Sequence, residues 1–221
     1  MNIKWTCTSA IALALTSYAV VDMAEANPRK TITANTSFQV APQRSVSGFR
    51  GLGLGSCDSD NITVTESFNT SSLVPGSAVS CFASSGTPEH SYGRSHDLSL
   101  GQTAGLPLEV SCVNFGMASL TDSITATVKI YLDTDGVAGP QGDGSDLWAL
   151  GSTTVDLSSA TPEMLSVQFS NPIQLDPDSL IFVEIIIPEM FPGQHEIACN
   201  SDGEYSPSWL KTTNGECGII S

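Results

Sequence analysis

The chain has 221 residues, with 23 acidic side chains against eight basic ones and a formal net charge of −15. A surface this acidic repels phosphate backbones, which excludes nucleic acid and anionic lipid as natural partners and leaves cations, neutral glycans and basic proteins. The charge is uneven: Arg29, Lys30, Arg44 and Arg50 precede Asp58, and only Lys129 and Lys211 follow Arg94.

Residues 1–26 carry Lys4 near the start, an apolar run from Ala10 to Val21 and the small-residue motif Ala24-Glu25-Ala26. That layout predicts a secretory signal peptide with an A-x-A cleavage site. Thr16, Ser17 and Tyr18 interrupt the run, which is shorter than the roughly 20 apolar residues a membrane span needs. The expected product is secreted, extracellular or periplasmic, starts near Asn27 and has no membrane span. Residues 27–56 are polar, basic and glycine-rich, end in "GFRGLGLGS", and read as a flexible linker or an edge-strand arm. The remainder, 57–221, is long enough for one domain with a hydrophobic core.

Beyond the arm, period-two patterning dominates. Ile124, Ala126, Val128, Ile130 and Leu132 alternate with Thr125, Thr127, Lys129, Tyr131 and Asp133, the mark of a strand with one buried face. Leu147 towards Leu157 continues as a second strand. Leu108–Phe115, Leu165–Phe169, Leu180–Ile187 and Glu196–Asn200 are further strand candidates. "LIFVEIIIP" is apolar on both faces, which predicts a central strand ended by Pro188. The best helical candidate, "SSATPEML", is one short turn. Short β-branched runs between Gly, Pro, Asp, Asn and Ser predict an all-β fold, an antiparallel β-sandwich or jelly-roll.

Cys7 leaves with the leader, so five of the six cysteines remain, and in an exported chain disulfides are their expected use. Proximity pairs Cys57 with Cys81 and Cys199 with Cys217, leaving Cys112 as a small buried hydrophobe. No C-x-x-C or histidine spacing supports zinc.

The segment "YLDTDGVAGPQGDGSDLWAL" places Asp133, Asp135, Asp143 and Asp146 among glycines. Calcium takes several carboxylate and carbonyl oxygens from such a turn. The EF-hand template fails at Val137, Ala138 and Gly144, and the nonapeptide calcium repeat is present as one incomplete copy. The segment reads first as a long hairpin tip whose Asp and Gly residues serve turn geometry, and calcium is the one cofactor it points to.

Glu184 within "FVEII" is costly to bury unless paired or solvated. A glycan-active hydrolase would need it beside a second carboxylate, such as Glu109 on a neighbouring strand. The alternative is a partly exposed sheet residue bonded to Arg94 or Lys129. In "GRSHD", Ser95, His96 and Asp97 are consecutive and cannot form a triad from an extended chain. His90 and His195 read as isolated surface residues. Trp148, Tyr205 and Trp209 form a candidate aromatic platform for a sugar ring, against the alternative of core or loop anchors. Asn35, Asn61 and Asn69 head N-x-S/T sequons.

The ordered series "SYGRSHDLS", "VSCVNFGMASL", "ATVKIYLDTDG", "LGSTTVDL", "FVEIIIPE" and "IACNSDGEYSPSWLKTTNGECG" resembles a β-sandwich domain that recurs in secreted and cell-surface bacterial proteins, often appended to hydrolases or adhesin-like chains. The resemblance covers Tyr92 to Gly218 and implies an extracellular module of antiparallel strands without catalytic residues. The resulting expectation is a secreted, non-catalytic binding or surface-interaction module, stabilised by calcium, with an extracellular glycan or surface protein as partner. A hydrolase using Glu184 and a structural envelope component are the alternatives.

Overall fold

The computed structural model describes residues 8–9, 11–17, 57, 62–65, 73, 78–80, 86–100, 103–141, 144–158, 163–200 and 208–212. They form twelve strands: β1 (Thr8–Ser9), β2 (Ile11–Ser17), β3 (Ile62–Thr65), β4 (Ala78–Val79), β5 (His90–Asp97), β6 (Leu108–Leu120), β7 (Ile124–Asp133), β8 (Leu147–Leu157), β9 (Glu163–Leu175), β10 (Leu180–Ile187), β11 (His195–Asn200) and β12 (Ser208–Thr212). All pair antiparallel, in two sheets packed face to face. One runs β12-β5-β10-β7-β8; the other is built on β6, which carries β9 along one edge and β11 and β2 along the other, with β3 outside β2.

Strand β10 lies at the centre of the five-stranded sheet, as its two apolar faces predict, flanked by β5 and β7. Ile181, Val183, Ile185 and Ile187 are fully buried on the inner face, where Ala126, Val128 and Ile130 of β7 join them. Across the core lie Val110, Val113 and Phe115 of β6 and Val167 of β9. Burial of each valine, isoleucine and phenylalanine here stabilises the fold by roughly 1.5–3 kcal/mol, and that of Ala126 by less.

Strand β7 matches the period-two segment and β10 the doubly apolar run end to end. Strands β5 and β12 carry no such signal. The inner positions of β5 are His90, Tyr92, Arg94 and His96, all buried, so the alternation there is not between apolar and polar residues. In β12 only five residues pair. Glu163 to Leu165, at the end of the segment read as a helical turn, open β9 instead.

The cysteine pairing differs from the proximity reading. Cys57 bonds Cys112 across a Cα–Cα distance of 5.7 Å. Cys112 is therefore not the spare thiol: a bulge in β6 turns it out of the main core, where it packs with Cys57. Closeness in sequence had favoured Cys81, but the fold brings Cys57 onto β6. Cys199 is also disulfide-bonded, with a partner outside the described residues, as are Cys81 and Cys217 themselves. Residues 27–56 also lie outside them. The segment read as a leader supplies two strands, β1 on β11 and β2 between β6 and β3.

Because Ile185 is fully buried at the centre of both ladder and core, Ile185→Ala should cost ~2–5 kcal/mol in chemical denaturation. The same change at exposed Leu100, 58% exposed, should cost under about 0.5 kcal/mol.

Candidate functional site

The acidic segment joins β7 to β8 and is closely fastened. Thr134 donates from its N–H (2.9 Å) and Oγ1 (2.7 Å) to the Asp146 carbonyl. The Asp146 carboxylate accepts the Gln141 N–H at 3.1 Å, and Asp135 Oδ1 accepts the Val137 N–H at 2.8 Å. Gly139 has φ 91°, in the left-handed region, and a Cβ there would run into the Trp209 indole. The loop is the tip of the β7–β8 hairpin, exposed from Thr134 to Ala138 and folded back at Gly139 onto Trp209 on the outer face of the five-stranded sheet.

Asp133, Asp135 and Asp146 come together, with carboxylate oxygens within 4.8 Å of one another. Asp143 lies outside the described residues. Asp133, the last residue of β7, is only 5% exposed, and neither of its oxygens has a hydrogen bond of ordinary geometry. Burial first, then Asp135 and Asp146, push its pKa up to about 6, with the Gly139 N–H offsetting part of the shift. An uncompensated buried carboxylate among two others is an expensive arrangement.

Beside this cluster the loop roofs a cleft of about 140 Å³ lined by Ser91, Tyr131, Pro140, Phe182, Glu184, Trp209 and Lys211 among others. Strand pairing sets its floor: Trp209, Gly93, Glu184 and Lys129 are successive cross-strand partners and share one face. Gly93 matters here because the Phe182 ring occupies the space a Cβ would take, which brings that ring to 5.7 Å from Trp209, edge to face.

Glu184 is half-buried in this floor. Ser91 Oγ donates to its Oε1, and Tyr131 OH to its Oε2 at 2.7 Å. Burial and then Glu184 itself raise the Tyr131 pKa, so the phenol stays a donor. Arg94 does not reach Glu184, since it lies on the inner face and binds Ser208 Oγ. Glu109 sits on β6 in the other sheet, bonded to Gln174 Nε2 at 2.6 Å. Glu184 is the only carboxylate lining the cleft among the described residues, whereas a glycosidase works with two flanking the scissile bond.

The two tryptophans do not form one platform. Trp209 is 9% exposed beneath Gly139, whereas Trp148, 70% exposed, pairs with Leu132 and points to the opposite face from Tyr131. Tyr205 lies outside the described residues. The residues missed from the sequence are Ser91, Phe182 and Lys211. Phe182 and Lys211 lie two positions from Glu184 and Trp209 on their strands, and Ser91 is next to His90, but which face they share becomes visible only from the register.

His90 and His195 are not surface residues. Both are fully buried, with rings 5.0 Å apart edge to face, and Nδ1–H of His90 donates to the Pro88 carbonyl at 2.7 Å. Chain distance made them look isolated; the approach of β11 to β5 at one end of the sandwich joins them. Burial, then His90, lowers the His195 pKa to about 4; burial, then Arg94, lowers that of His96 to about 3; and burial lowers that of His90.

These depressed values predict that stability is fully present above about pH 6.5 and falls as acid drives protons onto the unfolded histidines. The slope is at most about 1.4 kcal/mol per pH unit for each titrating ring. Melting temperature recorded between pH 7 and 4 should decline, and His195→Gln should decline less steeply. Gly93→Ala should destabilise by ~1–3 kcal/mol through the clash with Phe182, and Phe182→Leu in the same chain should recover part of the loss. Comparison with protein-family models, with curated proteins and with solved structures finds no match to the chain.

Proposed function

We propose that the chain is an exported, non-catalytic β-sandwich whose β7–β8 loop is held by a divalent cation and presents the outer-sheet cleft to an extracellular glycan or surface protein. The carrying observation is Asp133, buried with both oxygens lacking ordinary hydrogen bonds and facing two more carboxylates. Oxygens that ligate one calcium ion at 2.3–2.6 Å lie no more than about 5 Å apart, so a set within 4.8 Å fits one ion. An all-oxygen donor set favours calcium over softer metals. Bound there, the ion would supply fixed positive charge that joins the end of β7 to Asp146 at the start of β8.

The cleft supports a binding role in its chemistry. It offers apolar rings, hydroxyls, one oriented carboxylate and Lys211 in a volume of about 140 Å³, below the ~300 Å³ at which pockets usually enclose a small molecule. That suits one ring or side chain of a larger ligand. No helix among the described residues is long and apolar enough to cross a membrane. The disulfide between Cys57 and Cys112 agrees with an oxidising compartment.

Asp133→Asn tests the cation by the sign of its effect. With calcium present, the variant should melt lower than the wild type and lose the calcium-induced rise. In chelator it should melt higher, because a buried unpaired charge has gone. The calcium-induced rise in the wild type should also shrink below about pH 6, where protons compete for Asp133. A wild-type melting temperature indifferent to both calcium and chelator would remove the metal reading.

A further inference from the structure

Among the described residues, β8 pairs only with β7 and β9 only with β6, so each is the edge of its sheet. The two edges close on each other at Gly151, where a Cβ would meet Ile173 Cδ1 at 2.7 Å. Both strands depart from regular pairing beside this contact. In β8, Gly151 faces Ile130 and Ala149 faces Tyr131, which leaves Leu150 as an extra residue without a cross-strand partner. In β9, Gln168 faces Cys112 and Ile173 faces Val110, so residues 169–172 oppose Ser111 alone. Between the distorted edges lies an open groove of about 400 Å³, inside the ~300–1,000 Å³ range of ligand sites and larger than the outer-sheet cleft.

The groove's lining is uncharged: Leu150, Phe169 and Ile173 supply apolar surface, and the exposed Ser170, Asn171 and Gln174 supply hydroxyl and amide groups. Gln174 Nε2 donates to Glu109, which leaves its amide oxygen as the acceptor. Trp148, 70% exposed, stands near one end. Trp148 faces Leu132 and Gly151 faces Ile130, two residues on one face of β7, so the indole projects on the groove side of β8. It precedes Leu150 by two residues, roughly 7 Å along the strand.

We propose that this groove, with Trp148 at its end, is a second binding site, and that its ligand is a neutral oligosaccharide. The C–H face of a sugar ring would stack on the indole, and hydroxyls of the chain would bond Ser170, Asn171 and Gln174. A charged ligand would lose its water here and meet no counter-charge, and an anionic one would also meet the protein's net charge of −15. An extended peptide docks by adding a strand, and both edges resist that: β8 through the Leu150 bulge, β9 through Pro172, which has no N–H to donate. The groove shares no lining residue with the cleft at Glu184, and the inference does not rest on a bound cation.

The test is calorimetric titration of the full chain with neutral hexasaccharides of glucose, mannose and N-acetylglucosamine, and with a hexasaccharide of galacturonic acid as the charged counterpart. At least one neutral sugar should bind. Trp148→Ala should weaken that binding about tenfold, and Asn171→Ala by roughly two- to tenfold, the worth of a stacked ring and of a hydrogen bond. Leu100→Ala, exposed and lining neither site, should bind as the wild type does. Because Trp148 and Asn171 are exposed, both variants should keep the wild-type melting temperature. With the sugar bound, amide hydrogen exchange should slow at residues 148–152 and 169–174. Failure of every neutral sugar to bind, or binding indifferent to both substitutions, overturns the site. Galacturonic acid bound as tightly as the neutral sugars overturns the ligand class. Binding lost on Glu184→Gln and kept in Trp148→Ala overturns the groove and assigns the sugar to the outer-sheet cleft.

Discussion

The double burial of β10 is the constraint on which the rest of the structure depends. A strand apolar on both faces must have neighbours on both edges and cover above and below, and β5 and β7 supply the edges in unbroken register. Once that register is set, the two faces are assigned along every strand of the sheet, since cross-strand partners share a face. Odd-numbered Ile181 to Ile187 enter the core; Phe182 and Glu184 go outward. The outward face then needs its own cover, and Phe182 is only 3% exposed because Trp209, Tyr131 and the returning loop surround it.

That cover links the acidic cluster to the cleft. The loop lies on Trp209 through Gly139, and its two ends are joined by the Thr134 bonds to Asp146. The packing that brings the loop down also draws Asp133 out of water towards Asp135 and Asp146. Apolar contact and like-charge repulsion therefore oppose each other within a few residues. The raised pKa of Asp133 registers that opposition, and either a proton or a cation relieves it.

On the other side of the same sheet, β5 buries His90, Tyr92, Arg94 and His96 where aliphatic residues would be expected. Buried polar groups are tolerated where they find partners, as Arg94 does at Ser208 and His90 at Pro88. The histidines stay neutral there, so the core carries an acid sensitivity of opposite sign to that of Asp133. The sandwich is thus most constrained electrostatically at β5 and at the end of β7, while β10 between them is held chiefly by apolar packing.

Period-two alternation in β7 and a continuous apolar run in β10 made both legible to the residue, because an amphipathic or doubly buried strand writes its environment into its own side chains. The all-β class followed from the same signal, and the acidic loop was recognisable by composition. What the chain could not disclose alone depends on distant segments meeting. β5 was hidden because its buried face is polar and its partners come from β10, some 90 residues away. Cys112 was misassigned because disulfide partners are chosen by distance in space, here across a sequence separation of 55. His90 and His195 looked solitary for the same reason. The sequence by itself determined which strands have an apolar face; tertiary structure decided which residues share a face, because register is a relation between strands and belongs to no single one of them.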